Sequence, residues 1–346
     1  MGNETSKSRP VSNDKRRRSF VDFLIRNAAI IPTKQKTYKK NLIISKGKQQ
    51  IMSEDELDIV APFDVNGHQK YMFPVSENEV ALMQMRHYLY REIWGTNFSA
   101  PVDELLRKGN TKVLDIGCGP GTWILENATE YEEAQFTGID IAALYPKEIK
   151  PPNTRFINSD IFQGLPFEDN TFDFVYCRFM MFVFTLEDWQ DKVIPELARV
   201  LKPNGWLEIM EGDIVWHNEP ARVKNLRLKI VEFLKKKRGI EPILSPIMPQ
   251  LIKQCGQFSI VYQDERSAPL GKWGGNIGKV NMEFLKWGAE CLGDTVANSL
   301  GLEDSDYKKL LHGGFREIDE SNVASTTHRF WAKKIRLAED DLFAGF

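Results

Sequence analysis

Long apolar runs are missing from this chain. No stretch approaches the roughly 20 apolar residues that a bilayer-spanning helix needs, and no secretory hydrophobic segment stands near the start. An aqueous, cytoplasmic setting is therefore expected. Cysteine is scarce as well. Cys118, Cys177, Cys255 and Cys291 lie far apart with no C-x-x-C pair, which argues against a metal cluster and a disulfide framework and for a reducing compartment. There is no internal repeat. Neither sign of charge dominates: 46 Lys/Arg stand against 48 Asp/Glu, a formal net charge of −2.

That balance hides an asymmetry. Residues 1–50 hold 13 Lys/Arg against 3 Asp/Glu, a balance of +10 that leaves −12 for the remainder. A polar, cationic stretch with so little to bury is expected to be a disordered tail. Its start, Met1-Gly2-Asn3-Glu4-Thr5-Ser6, fits the N-myristoylation pattern, and Lys15-Arg16-Arg17-Arg18 supplies the basic patch that a single acyl chain needs as a second anchor. Gly2 and Lys15–Arg18 thus suggest a peripheral contact with an anionic membrane, reversible by phosphorylation at Ser6, Ser8, Ser12 or Ser19. Nuclear import through the same basic run is a weaker alternative. The acidic remainder, with no Asn/Asp-Pro-Pro-Tyr-type motif, argues against nucleic acid as a partner.

The densest information lies in Val113-Leu-Asp-Ile-Gly-Cys-Gly-Pro-Gly-Thr-Trp123. A short apolar run ends in an acid, three alternating glycines follow, and a helix-compatible stretch comes next, which reads as a buried strand turning sharply over a ligand. A dinucleotide fold asks for G-x-G-x-x-G, but Thr122 stands at the third glycine position. No Gly-Lys-Ser/Thr follows, so a phosphate-binding P-loop is excluded. Further strands are expected at Gln135–Asp140, Arg155–Asn158, Phe172–Tyr176 and Trp206–Met210. An amphipathic helix is expected over Leu186–Leu201, stopped by Pro203 and Asn204-Gly205. Helices are also expected over Asn78–Trp94, over Pro101–Lys108 with Ser99 as its cap, and over Glu219–Lys237. Two late strands, Phe258–Glu265 and Ser325–Arg336, and a helix between Val280 and Leu292, a wall or lid of the substrate pocket, complete the reading.

The glycine segment resembles motif I of class I S-adenosylmethionine (SAM)-dependent methyltransferases. Leu165-Pro-Phe-Glu-Asp-Asn-Thr-Phe-Asp173 and Leu201-Lys-Pro-Asn-Gly-Trp206 match wording common in that family. Tyr71-Met-Phe-Pro-Val-Ser-Glu-Asn-Glu79 and Met85-Arg-His-Tyr-Leu89 look like the fungal LaeA/UMTA type. The resemblance implies a Rossmann-like, doubly wound α/β fold: a seven-stranded, mostly parallel sheet with one antiparallel edge strand. The division it suggests is a basic tail at 1–50, a helical preface at 51–110 and a SAM-binding domain at 111–346.

By the same resemblance Asp115, Gly117, Cys118, Gly119 and Gly121 hold the methionine part of SAM. Asp140 grips the ribose, with Ile141 beside it, Asp160 faces the adenine amine, and Ile161 packs on the ring. Arg178 and the residues after it should lie beside the donor. An acid suits the sugar because one carboxylate can accept from two hydroxyls. Methyl transfer from a sulfonium demands mainly alignment, and a base is needed only if the acceptor must lose a proton. Glu211, directly after the fifth strand, and His217, seven residues past its end, are the candidates. The acceptor is expected to be a small molecule or a protein side chain. A SAM-binding regulator with little turnover is the alternative.

Overall fold

Lys112–Ile116 (β1) carries apolar side chains on both faces, as a strand covered on two sides must. Val113 joins Phe174, Tyr176, Trp123 and Ala128 on one face, whereas Leu114 and Ile116 join Val175, Cys177, Leu197 and Ala198 on the other. The computed structural model describes Asp64–Val65, His68–Gln69 and residues 77–336. The tail readings at Gly2 and Lys15–Arg18 lie outside the described residues.

Six more strands complete the sheet: β2 (Gln135–Asp140), β3 (Thr154–Asn158), β4 (Phe172–Arg178), β5 (Leu201–His217), β6 (Phe258–Pro269) and β7 (Ala324–Lys334). Their spatial order is β3-β2-β1-β4-β5-β7-β6. The first five run parallel, and β7 alone is antiparallel to its neighbours. The antiparallel strand is thus the inner member of the closing pair, and β6 forms the edge. Strand order reverses between β1 and β4, and a doubly wound sheet opens a ligand crevice at the carboxyl ends of such a pair.

Helices α1 (Glu77–Trp94), α2 (Asp103–Lys108) and α3 (Thr122–Glu130) precede and follow β1. A helical run over residues 186–200 (α4) starts on a capping box between Thr185 and Asp188 and widens to a π stretch at Trp189–Val193, just before Pro195. Proline cannot donate to the preceding turn, so a local change of pitch is expected there. Next come α5 (Ala221–Arg238), α6 (Met248–Gln254), α7 (Gly275–Cys291), α8 (Gly293–Ser299) and α9 (Asp304–Asp319). Val223, Met282, Tyr307, Leu311 and Phe315 bury a third, helical core around the last four long elements. All of this lies in one compact unit, Asp58–Phe346. Among the described residues no helix is long and apolar enough to cross a membrane.

Two local expectations fail. Ser99 does not cap a helix starting at Pro101: α2 begins at Asp103 with no side-chain cap. The backbone N–H groups of Ser99 and Ala100 donate instead to buried Glu208, at 2.8 and 2.6 Å, and Arg329 pairs with the same carboxylate. The fifth strand does not stop at Met210 either. It continues to His217 because β7 pairs with it from Trp206 onward, past a bulge between Asp213 and Trp216.

Candidate active site

The turn after β1 is left-handed at Gly117, Gly119 and Gly121, with φ of 65°, 53° and 73°. At Gly117 glycine is required twice over. The φ disfavours any side chain, and a Cβ built there would lie 2.5 Å from the Met180 sulfur. The bend brings bare backbone to the wall of a cavity of about 180 Å³. Asp140 sits across from it at the end of β2. Its Oδ2 accepts from the Gly119 N–H at 2.7 Å and its Oδ1 from the Ala142 N–H at 2.8 Å. Burial pushes this carboxyl up, and the backbone donors oppose the shift. Each oxygen keeps a lone pair for a hydroxyl.

Further along the same cavity, the Asp160 Oδ1 accepts from the Phe162 N–H at 2.9 Å, capping a short 3-10 turn that presents Ile161. Gly117, Cys118, Gly119, Asp140, Ile141, Asp160, Ile161 and Arg178 therefore share one cavity wall. Gly121 lies just behind, as the left-handed cap of α3 against the Phe156 ring. Asp115 lies beneath the turn rather than on the wall. It is 1% exposed, and neither oxygen has a hydrogen-bond partner among the described residues. Burial pushes its carboxyl up to about 7, with Asp140 adding and Arg178 opposing. An orphaned acid under a cavity floor suits a ligand that brings positive charge.

A second cavity, about 270 Å³, adjoins the first, and Met83, Arg86, Phe179 and Val183 line both. Its apolar walls come from α1 (Leu82, Tyr90), α7 (Phe284, Leu285, Trp287) and Trp216 of β5. Glu211 reaches it from β5. Its Oε1 accepts from the Met180 N–H at 2.6 Å and its Oε2 from the Met181 N–H at 3.2 Å. Burial pushes Glu211 up to about 8 against the pull of those two donors. Nearby Asp213 is held below the usual carboxylate range despite burial, because His328 and Ser245 both engage it. Phe179 stands on the shared wall at φ 59°, the one described residue other than glycine and asparagine with positive φ. Arg86 lies 4.3 Å from its ring centroid, and the Tyr90 ring 5.1 Å away.

His217 lies outside both cavities. It is exposed at the far end of β5, with Nε2 3.1 Å from the Thr326 hydroxyl. Counting residues past a strand end placed it near the acceptor, but the strand does not end there, so those residues carry it away along the sheet. In the other direction, Arg86 and His87 of α1 were missed as site residues. Burial pushes His87 down to about 4, and its ring bridges Glu126 and Arg178. Only the run Met85-Arg-His-Tyr-Leu89 hinted at them, and nothing in its spacing says which cavity it faces.

Residues 113–205 match the family described as a methyltransferase domain. That segment is similar to a methyltransferase domain. Over 212 residues the chain is 28% identical to methyltransferase pytC of Aspergillus terreus, covering 59% of this chain and 62% of that protein. It is 32% identical over 162 residues to N-methyltransferase verN of Clonostachys rogersoniana, covering 45% and 55%. The secondary metabolism regulator laeA of Coprinopsis cinerea is 30% identical over 146 residues, covering 41% and 36%. The chain thus spans less than two thirds of the length of these relatives. A Haemonchus contortus phosphoethanolamine N-methyltransferase structure with S-adenosylhomocysteine is 19% identical, covering 73% of this chain and 58% of that one; a TM-score of 0.41 carries no inference. The residues of the first cavity fit SAM. They offer a bare turn for the methionine part, a doubly anchored acid for a diol, and, beneath the turn, an orphaned acid suited to a ligand that carries positive charge.

Proposed function

We propose that this chain is a SAM-dependent methyltransferase whose acceptor is an apolar small molecule with a single reactive nitrogen or oxygen. The observation that carries it is the pairing of the two cavities across the wall of Met83, Arg86, Phe179 and Val183. Bound SAM supplies a methyl group already activated on a sulfonium sulfur, which departs as neutral thioether. The residues around it do the rest. The turn at Gly117 and Gly119 and the fixed carboxylate of Asp140 hold the donor in one orientation, and Asp160 with Ile161 receives its adenine. The aromatic walls of α1 and α7 exclude water and align the acceptor, and alignment of this kind is worth roughly 7–11 kcal/mol in favourable intramolecular reactions. As the acceptor's bond to the methyl carbon forms, its N–H or O–H proton passes to the Glu211 carboxylate. Among the described residues no basic side chain is bonded to the Glu211 carboxylate, so it takes that proton, and activity rises with pH through about 8.

Calorimetry with S-adenosylhomocysteine and methyl-transfer assays on panels of apolar amines and phenols test this reading. Binding with turnover, both lost in Asp140→Ala, is the expected result. Tight binding with no turnover across the panel favours the regulator instead, the role for which the Coprinopsis cinerea relative is named. The tail is part of the proposal: Gly2 acylation and Lys15–Arg18 support a cytoplasmic protein that touches anionic membranes. Labelling with a myristate analogue, absent in Gly2→Ala, checks it.

A further inference from the structure

One arrangement at the end of the donor cavity is used by nothing described so far. His87 of α1 is 2% exposed. Its Nε2 lies 2.7 Å from the Glu126 carboxylate of α3, and its Nδ1 lies 3.1 Å from Nη1 of Arg178. The partners alone fix its state. A carboxylate only accepts, so Nε2 carries the hydrogen, and a guanidinium only donates, so Nδ1 is bare. The ring is neutral, which agrees with burial pushing its pKa down to about 4. His87 therefore takes one donor of Arg178 without cancelling its charge.

The cation is left without a counter-ion. Arg178 is half-buried on the cavity wall, and among the described residues no carboxylate stands within ion-pair distance of it. Asp115, which its charge influences, makes no hydrogen bond to it. Its place along the ligand follows from register: Ile116 pairs with Cys177, so Arg178 stands level with Gly117. Asp160 and Ile161 lie at the other end, and Asp140 in between. A nucleoside with its base at Asp160 and its sugar at Asp140 directs its 5′ arm toward Arg178.

We propose that Arg178, oriented by His87 and through it by Glu126, receives the carboxylate at the amino-acid end of the donor. Arg178 is the binding residue, and His87 and Glu126 are positioning residues. Helix α1 thereby becomes part of the donor site. The inference rests on the first cavity being the SAM site, as proposed above.

The test compares two ligands by calorimetry on the full chain. S-adenosylhomocysteine carries the amino-acid arm, and 5′-methylthioadenosine has the same nucleoside and thioether sulfur without it. In Arg178→Met the dissociation constant for S-adenosylhomocysteine should rise roughly 10- to 100-fold, the scale of one charge-assisted bidentate contact, while that for methylthioadenosine stays within about twofold. His87→Phe, which keeps an aromatic ring but neither hydrogen bond, should show a smaller loss with the same selectivity. Adding it to Arg178→Met should cost nothing further. Arg178→Lys should restore part of the affinity. If both ligands weaken together in Arg178→Met, or neither changes, the inference is overturned while the donor site stands. If the wild-type chain binds neither ligand, the donor reading falls and this one with it. Should His87→Phe fail to fold by thermal denaturation, Arg178→Met decides alone.

Discussion

The two cavities are neighbours with a common wall, yet they are built in opposite ways. The donor cleft is local. Gly117 to Gly121, Asp140, Asp160 and Arg178 stand at or just after the ends of four consecutive parallel strands, β1 to β4, all within the domain match at 113–205. The acceptor cavity draws on α1, the segment after β4, β5, α7 and β7, spanning Leu82 to Thr327. Strand ends fix most of the donor site, with Met83, Arg86 and His87 of α1 closing one side, whereas the other site is built mainly from distant elements. A shared fold can keep the first constant while the second varies, so the donor is readable by family and the acceptor is not.

Changes on the two sides of the wall should therefore separate cleanly. The largest effect is expected from Glu211→Gln, which keeps the shape and one of the two backbone contacts, to Met180 or Met181, but cannot take a proton. kcat should fall roughly 100- to 1,000-fold with donor affinity unchanged, and the rise in rate through about pH 8 should vanish. Gly117→Ala acts on the other side. The added methyl meets the Met180 sulfur at φ 65°, so donor affinity should drop roughly 10- to 100-fold, read by calorimetry. Trp287→Ala opens the α7 wall and should raise acceptor KM about tenfold while leaving the donor constant alone. If it weakens both equally, the contrast drawn here is wrong.

Stability gives a smaller effect. Asp115 and Glu211 have folded pKa values of about 7 and about 8, above their unfolded values of 3.8 and 4.5. Both hold protons more tightly when folded, so their contribution is complete below the unfolded values. It is lost as pH rises through about 7 and 8. Tm should fall by about 3–6 °C between pH 5.5 and 8, less in Asp115→Asn. Least of all, His217→Ala should alter turnover by no more than about twofold, because only a surface bond to Thr326 is lost.

How much was legible follows the same divide. The boundaries of β1 to β4 and the acids at or after their ends could be read because alternation, a glycine bend and the next helix are near neighbours in the chain. Asp140 and Asp160 lie where the spacing put them. The placement of Asp115 under the floor could not be read, because both faces of β1 are buried and the pattern does not say which way an acid turns. His217 was misplaced by a rule about strand ends applied to a strand lengthened by β7, more than 100 residues later. His87, Arg86 and Glu126 escaped because their meeting depends on where α1 crosses the sheet. α9 passed unnoticed, although Tyr307, Leu311, Phe315 and Ile318 keep helical spacing, because charged residues fill its other side.

Phe179 gives the wall between the cavities a particular character. A phenyl-bearing residue in left-handed backbone stores about 1–2 kcal/mol, and the chain tolerates it because the Phe179 N–H bonds to the Met210 carbonyl at 2.9 Å while Arg86 and Tyr90 grip the ring. The partition is consequently spring-loaded before any guest arrives. Swapping in glycine would relieve the tension but forfeit the ring's contacts with Arg86 and Tyr90, removing the partition and merging the two chambers into one.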